Sequence, residues 1–140
     1  MSKIAVVYWS GTGNTEAMAN AVVEGAQAAG AEATLLTSAD FSADNMDEYD
    51  AVAFGCSSQG AEQLEESEFE PMFTACEAKL SGKKIALFGS YGWGDGEWMR
   101  NWEEQCKGDG AVMACDFVIC QEAPEGDTID ALKAMGAALA

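Results

Sequence analysis

Ser10, Gly11, Thr12, Gly13, Asn14 and Thr15 follow one another directly behind a short apolar run. Three hydroxyls and a carboxamide can donate hydrogen bonds there, and two glycines let the backbone approach a ligand closely. A helix starting at this point would aim its first N–H groups the same way and favour an anion. The hexapeptide therefore suits a phosphate, and it carries more donors than a polar strand-to-helix turn requires. No cation lies in it, so the phosphate would keep its charge. The pattern G-x-x-x-x-G-K-S/T is absent, which disfavours a P-loop nucleotidase. The glycines begin as G-x-G, but Glu16 takes the third place. Thr37 and Ser38, rather than an acid, follow the second apolar segment, where an NAD ribose would want a carboxylate.

A second constellation is Gly89-Ser90-Tyr91-Gly92-Trp93-Gly94-Asp95-Gly96, with four glycines around one indole. An indole that lies flat on another planar ring needs neighbours without side chains, and the glycines expose backbone N–H groups to that ring's edge. The competing possibility is a Trp93 turned into the core. Trp9, Trp98 and Trp102 are assigned to the core or its margin. Between the two constellations lies Cys56-Ser57-Ser58-Gln59-Gly60-Ala61-Glu62. Gly60 is either a turn glycine or a peptide able to take two orientations beside a ligand.

These residues need elements to position them. Ile4–Tyr8 is a continuous apolar run that fits a strand covered on both faces. Met18, Val22, Gly25, Ala26 and Ala29 recur at helical steps, and Gly30 stops that helix. Ala33–Leu36 and Ala51–Gly55 are further strands, separated by an acidic stretch from Thr37 to Glu48 with one helical turn. Ser67-Glu68-Phe69-Glu70 has the form of a capping box, so a helix is expected from Ser67, with Pro71 in its first turn. Lys84–Phe88 is a fourth strand. Glu97–Lys107 is a helix with Trp98 and Trp102 on one face, and Val112–Cys120 is a fifth strand. Asp127 caps a last helix that buries Ile129, Leu132, Gly136 and Leu139. Strands alternate with helices without a hairpin signal. That predicts one α/β domain over residues 1–140: a doubly wound, five-stranded parallel sheet with helices on both faces. Its ligand edge lies beyond the carboxyl ends of the strands.

Composition excludes several classes. The 140 residues are 49% apolar, too many for a disordered chain, and their formal net charge of -17 leaves no basic stripe for nucleic acid or an anionic membrane. Histidine is absent, which removes Ser-His and Cys-His catalysis and imidazole metal ligands. Five cysteines at 56, 76, 106, 115 and 120 form no C-x-x-C and are expected to be small apolar residues of a reduced protein. No signal peptide or membrane span is visible, so a cytoplasmic protein is expected. Fourteen acids and no Lys or Arg lie between Ile4 and Ala78, with Glu62, Glu65, Glu66, Glu68 and Glu70 the densest group. Such a surface repels anions and attracts a basic partner.

Tyr8-Trp9 followed by Ser10–Thr15 resembles the FMN phosphate loop of flavodoxins. Gly89–Gly96 resembles the flavin-stacking loop of short-chain flavodoxins from anaerobic bacteria, and Leu64-Glu65-Glu66-Ser67-Glu68-Phe69-Glu70-Pro71 is similar to the same group. The likeness spans essentially the whole chain. Flavodoxins are themselves the standard example of strand order 2-1-3-4-5 with FMN at the switch point, so that order is taken from the resemblance. The resemblance implies non-covalent FMN and one-electron transfer, and a monomer is expected. Ser10, Thr12, Asn14, Thr15 and Ser57 would hold the phosphate, with backbone N–H groups of the loop containing Gly11 and Gly13. Trp93 would stack on the outer flavin face, and Glu62 would accept from the flavin N3–H. Backbone around Gly92, Trp93 and Gly94 would meet the pyrimidine edge. The Gln59–Gly60 peptide would flip on reduction and turn its carbonyl to N5. Ser58, Ser90 and Tyr91 complete the expected set. Gln59, Ser58 and Ala61 depart from the group, which commonly has Met, Ala and an acid or small polar residue there.

A fully reduced flavin anion beside its own phosphate and an acidic surface is disfavoured. A low-potential carrier shuttling between semiquinone and hydroquinone is therefore expected, serving reductases and oxidoreductases with basic docking faces. The alternative is an FMN-dependent NAD(P)H quinone or nitro reductase of the same fold, whose nicotinamide phosphates this edge would repel. A phosphorelay receiver would want acids after the first strand and Asp after the third. Tyr8-Trp9 and Phe54-Gly55 stand there instead. A low-molecular-weight phosphatase would want C-x-x-x-x-x-R in the first loop, which has no Cys.

Overall fold

The computed structural model describes residues 2–9, 13–57, 68–91 and 96–140. Strands β1 (Lys3–Trp9), β2 (Glu32–Thr37), β3 (Ala51–Cys56) and β4 (Lys84–Tyr91) are joined by parallel pairing in the order β2-β1-β3-β4. Helices α1 (Asn14–Ala28), α2 (Phe69–Cys76), α3 (Glu97–Gly108) and α4 (Gly126–Leu139) connect or follow them. The doubly wound fold and the order expected from the resemblance are both present.

Alternation along the buried strands sorts the core into two layers. Ala5 and Val7 of β1, Val52 and Phe54 of β3, and Ile85 and Leu87 of β4 face α2 and α3. Ile4, Val6, Tyr8, Ala51, Ala53, Ala86 and Phe88 face α1 and α4. The first layer is aromatic. Phe73 meets Phe54 edge-on at 5.2 Å, and Trp102 meets Phe69 and Phe73 edge-on at 5.5 Å. Each such pair adds about 0.5–1.5 kcal/mol beyond its buried area. Trp98 and Trp102 are both buried and Trp9 packs half-buried at the margin, as expected. The second layer closes through small residues. A Cβ on Gly25 would lie 2.0 Å from the Lys133 carbonyl oxygen, and one on Gly136 would lie 2.1 Å from that of Val22, so α1 and α4 cross in near backbone contact.

Several expectations are corrected. The expected fifth strand, Val112–Cys120, is two short strands, β5 (Val112–Met113) and β6 (Val118–Gln121), both parallel to β4. Ile85 pairs with Met113 and Phe88 with Val118, so three steps on β4 are matched by five on the edge. A strand with one neighbour can bulge without breaking a second ladder, and exposed Asp116 turns out to solvent there. Among the described residues the sheet thus has six strands rather than five. Gly89, Ser90 and Tyr91 extend β4 instead of opening a loop, because β6 pairs with Gly89, Ser90 and Tyr91.

The acidic stretch after β2 forms two 3-10 segments, Ser38–Asp40 and Ala43–Glu48, not one turn. Lys83 Nζ donates to the Met46 and Tyr49 carbonyls at the end of the second. Helix α2 begins at Phe69, with Glu68 in the N-cap position. Ser67 of the expected capping box lies outside the described residues. Pro71 does fall in the first turn. Glu125, not Asp127, is the N-cap residue of α4, and Asp127 lies in the first turn, where its charge still suits the helix dipole. Ile129 is half-buried, and Ala29 stands exposed past the end of α1, where Gly30 takes the left-handed stop at φ 90.

Candidate functional site

β1, β3 and β4 run parallel and end at Trp9, Cys56 and Tyr91, so the chain leaves all three at one edge of the sheet. The connections on either side of β1 turn in opposite directions, since β2 flanks it on one side and β3 on the other. A crevice between diverging connections is where open α/β sheets take ligands.

Gly13 opens α1 in the left-handed conformation, φ 92, at its N-cap. A side chain is disfavoured in that conformation, which accounts for the second glycine of the motif. Asn14, Thr15 and Glu16 follow in the first turn, where backbone N–H groups have no acceptor within the helix. Thr15 is fully buried, and its Oγ1 lies 2.7 Å from Ser57 Oγ, the first residue past β3. Two parts of the expected phosphate set, 42 residues apart, thus meet as one hydroxyl pair beside a helix N-terminus. Asn14 is half-buried next to them.

Ser90 is buried on β4, and its hydroxyl donates to the Glu122 carbonyl at 2.6 Å. Glu122 N–H returns a bond to the Tyr91 carbonyl at 2.8 Å. Glu122 holds φ 60, an uncommon conformation for a residue with a side chain, and so fastens the turn after β6 against the end of β4. Tyr91 packs on Trp98 with ring centroids 5.5 Å apart. Ser10, Gly11, Thr12, Ser58, Gln59, Gly60, Glu62, Gly92, Trp93 and Gly94 lie outside the described residues.

The structure adds contacts that no motif announced. Tyr8 OH donates to Glu16 Oε2 at 2.7 Å, and chiefly that bond, then burial, pushes the phenol up to about 12. Ser38 Oγ donates to Glu68 Oε1 at 2.5 Å, tying the start of α2 to the turn after β2. Tyr8, Trp9, Gly13, Glu16, Thr37 and Glu68 line a cleft of about 260 Å³. In sequence, the only hint was an aromatic hydroxyl and an acid on either side of the phosphate motif.

Basic side chains gather at one edge of the sheet, where Glu32, Asp47, Glu48, Asp50, Glu77 and Asp109 stand among them. Lys3, Lys83 and Lys84 stand where strands begin. Lys79 and Lys107 end the α2 region and α3 at that same edge. Lys79 is committed to Asp47 at 2.8 Å, and Lys107 to Glu103 at 3.5 Å. At the opposite edge stand Glu16, Asp40, Glu68, Glu97 and Glu122, with Arg100 in the first turn of α3. Cys56, Cys76 and Cys106 are buried, and Cys115 and Cys120 half-buried. Burial pushes the Cys76 and Cys106 thiols up to about 11 and about 12, away from nucleophilic use.

A parallel sheet whose switch point carries neutral hydroxyls, a left-handed glycine and a helix N-terminus defines an α/β protein built to hold a phosphorylated ligand. A family model described as Flavodoxin matches residues 6–134. The chain is 45% identical over 128 residues to a flavodoxin of Clostridium beijerinckii, covering 91% of this chain and 93% of that one. It is 43% identical over 137 residues to a flavodoxin of Megasphaera elsdenii, covering 98% of each. The solution structure of the two-electron reduced Megasphaera elsdenii protein matches with a TM-score of 0.89 over 97% of both chains. The chain belongs to the flavodoxin family, in its short-chain group. Flavodoxins are electron-transfer proteins whose cofactor is FMN, and the Thr15–Ser57 pair at the head of α1 fits the FMN phosphate: uncharged donors around an anion, with no side chain at Gly13 to obstruct it.

Proposed function

We propose that this chain is a cytoplasmic, monomeric, low-potential carrier of single electrons that holds FMN non-covalently at this edge. Bound FMN would supply the electron-carrying ring, passing between its one-electron and two-electron reduced forms. The observation that carries the proposal is the Thr15–Ser57 hydroxyl pair at the head of α1. Ser10, Thr12 and Asn14 extend that cradle, with backbone N–H groups from Gly11 and Gly13. Trp93 would cover the outer ring face, Glu62 would accept the ring N3–H, and backbone at Gly92 and Gly94 would meet the pyrimidine edge. The Gln59–Gly60 peptide would offer its carbonyl to the ring's N5.

The low potential follows from charge. The 24 acids against 7 bases surround a site whose own donors are neutral, so an added electron finds little compensation. For a one-electron couple, each tenfold disfavour of the reduced form lowers the potential by about 59 mV. The scarcity of bases at the ligand edge orients partners. A redox protein with a basic face docks at the acidic edge, in a small and transient encounter. No helix among the described residues is long and apolar enough to cross a membrane.

The test is the purified protein's visible spectrum and acid-released flavin. A yellow protein yielding one FMN per chain, with no appreciable NADPH–quinone turnover, is expected. A colourless protein that leaves FMN fluorescence unquenched would contradict it, and rapid turnover would favour a reductase.

A further inference from the structure

Glu16 sits at an awkward place. It is the third residue of α1, counted from the Gly13 cap, and follows Thr15 of the phosphate cradle directly. A glutamate at that helical position is the type that folds back onto the exposed N–H groups of its own helix start. Its charge is welcome to the helix dipole. Both tendencies bring a carboxylate to the place an anionic ligand needs.

Tyr8 counters this. Its side chain rises from the penultimate residue of β1, is 8% exposed, and donates its hydroxyl proton to Glu16 Oε2 at 2.7 Å. The two residues are eight apart and span residues 10–12, so one hydrogen bond links the base of the phosphate loop to the helix it feeds. The bound carboxylate lies along the cleft with Trp9, Thr37 and Glu68, whereas Thr15 turns to Ser57. The phenol stays protonated through neutral pH, its pKa pushed up to about 12 chiefly by that same bond, so it remains a donor.

We propose that Tyr8 is a positioning residue for ligand selection: by restraining the Glu16 carboxylate, it keeps the head of α1 open to a phosphate and so sets the preference for a phosphorylated over an unphosphorylated flavin. The proposal rests on the phosphate's placement at this loop. It concerns the phosphate alone, so the flavin ring's own affinity is untouched.

The experiment titrates apoprotein with FMN and with riboflavin, which lacks the phosphate, following flavin fluorescence. In the unaltered protein FMN should bind far more tightly than riboflavin. In Tyr8→Phe, FMN should weaken about tenfold, the equivalent of ~1.4 kcal/mol, while riboflavin is unchanged. In Tyr8→Phe/Glu16→Gln, where no charge needs restraint, the FMN preference should return. Equal binding of the two flavins by the unaltered protein would overturn the phosphate placement. A retained preference in Tyr8→Phe, a parallel loss for both flavins, or a loss that Glu16→Gln does not repair would overturn the role of Tyr8 alone. A thermal melt of each apoprotein separates misfolding from selection: fully folded Tyr8→Phe showing the FMN-only loss is the expected result.

Discussion

Thr15 Oγ1 and Ser57 Oγ stand 2.7 Å apart, one in the first turn of α1 and the other just past β3. The contact spans the point where the sheet's connections diverge, so each hydroxyl fixes the other's direction. Removing Ser57 leaves the buried Thr15 hydroxyl without that bond, which costs more than a single neutral hydrogen bond contributes.

Thr15→Val and Ser57→Ala should therefore each weaken FMN binding about tenfold, ~1.4 kcal/mol. The double variant should lose clearly less than the sum, because the two residues act as a unit. Fluorescence titration of the three apoproteins measures this. Strict additivity would show that the hydroxyls act independently.

Gly25 and Gly136 make a prediction remote from the ligand edge. A methyl at either would stand about 2 Å from a backbone carbonyl oxygen of the facing helix, which no rotamer change relieves. Gly25→Ala and Gly136→Ala should each destabilise the fold by about 3 kcal/mol, at the upper end of overpacking effects. Urea unfolding of the apoprotein reports it, with the midpoint falling and the slope preserved.

Glu77 ends α2 beside Asp109 at the end of α3. Its carboxyl is raised above the ordinary range by burial first and by Asp109 next, with Glu70 adding and the Gln105 amide, which donates at 2.6 Å, opposing. Among the described residues, no donor reaches the buried Asp109 Oδ2. The folded protein thus holds the Glu77 proton more tightly than the unfolded chain does. That contribution is full below the ordinary carboxylate pKa of about 4.3 and is lost as pH rises through the raised value. Glu77→Gln keeps a neutral donor for Asp109 at every pH. It should be more stable than the parent at pH 7, and the gap should close on acidification. Chemical unfolding of both proteins across pH 4–7 checks the sign.

The acid-rich ligand edge predicts a kinetic effect. Electron transfer to a basic redox protein should slow steeply between low and high ionic strength, because exposed charges are screened beyond about 10 Å at 0.1 M salt. Stopped-flow rates at several salt concentrations measure it, and a flat profile would remove the docking edge.

The layered sheet was legible because its strands are short apolar runs whose ends are marked by glycine or polar residues. The phosphate cradle is proposed from sequence because donors crowd into six consecutive positions, of which the described residues include Gly13, Asn14 and Thr15. What escaped depends on tertiary partners. Val112–Cys120 has the composition of one strand, yet the edge position allows a bulge around Asp116 that only the register against β4 reveals. Gly89–Tyr91 looked like loop because glycine and serine are poor strand formers, and β6 overrides that propensity by pairing with it. The Tyr8–Glu16, Ser38–Glu68 and Ser90–Glu122 bonds join residues from different elements, and no local pattern encodes such pairs.

An anaerobic equilibrium reduction of the FMN-loaded protein, followed by absorbance against reference dyes, tests the central claim most directly. Two resolved one-electron waves are expected, the second well below the potential of free FMN. A single two-electron wave near the free-flavin potential would contradict it.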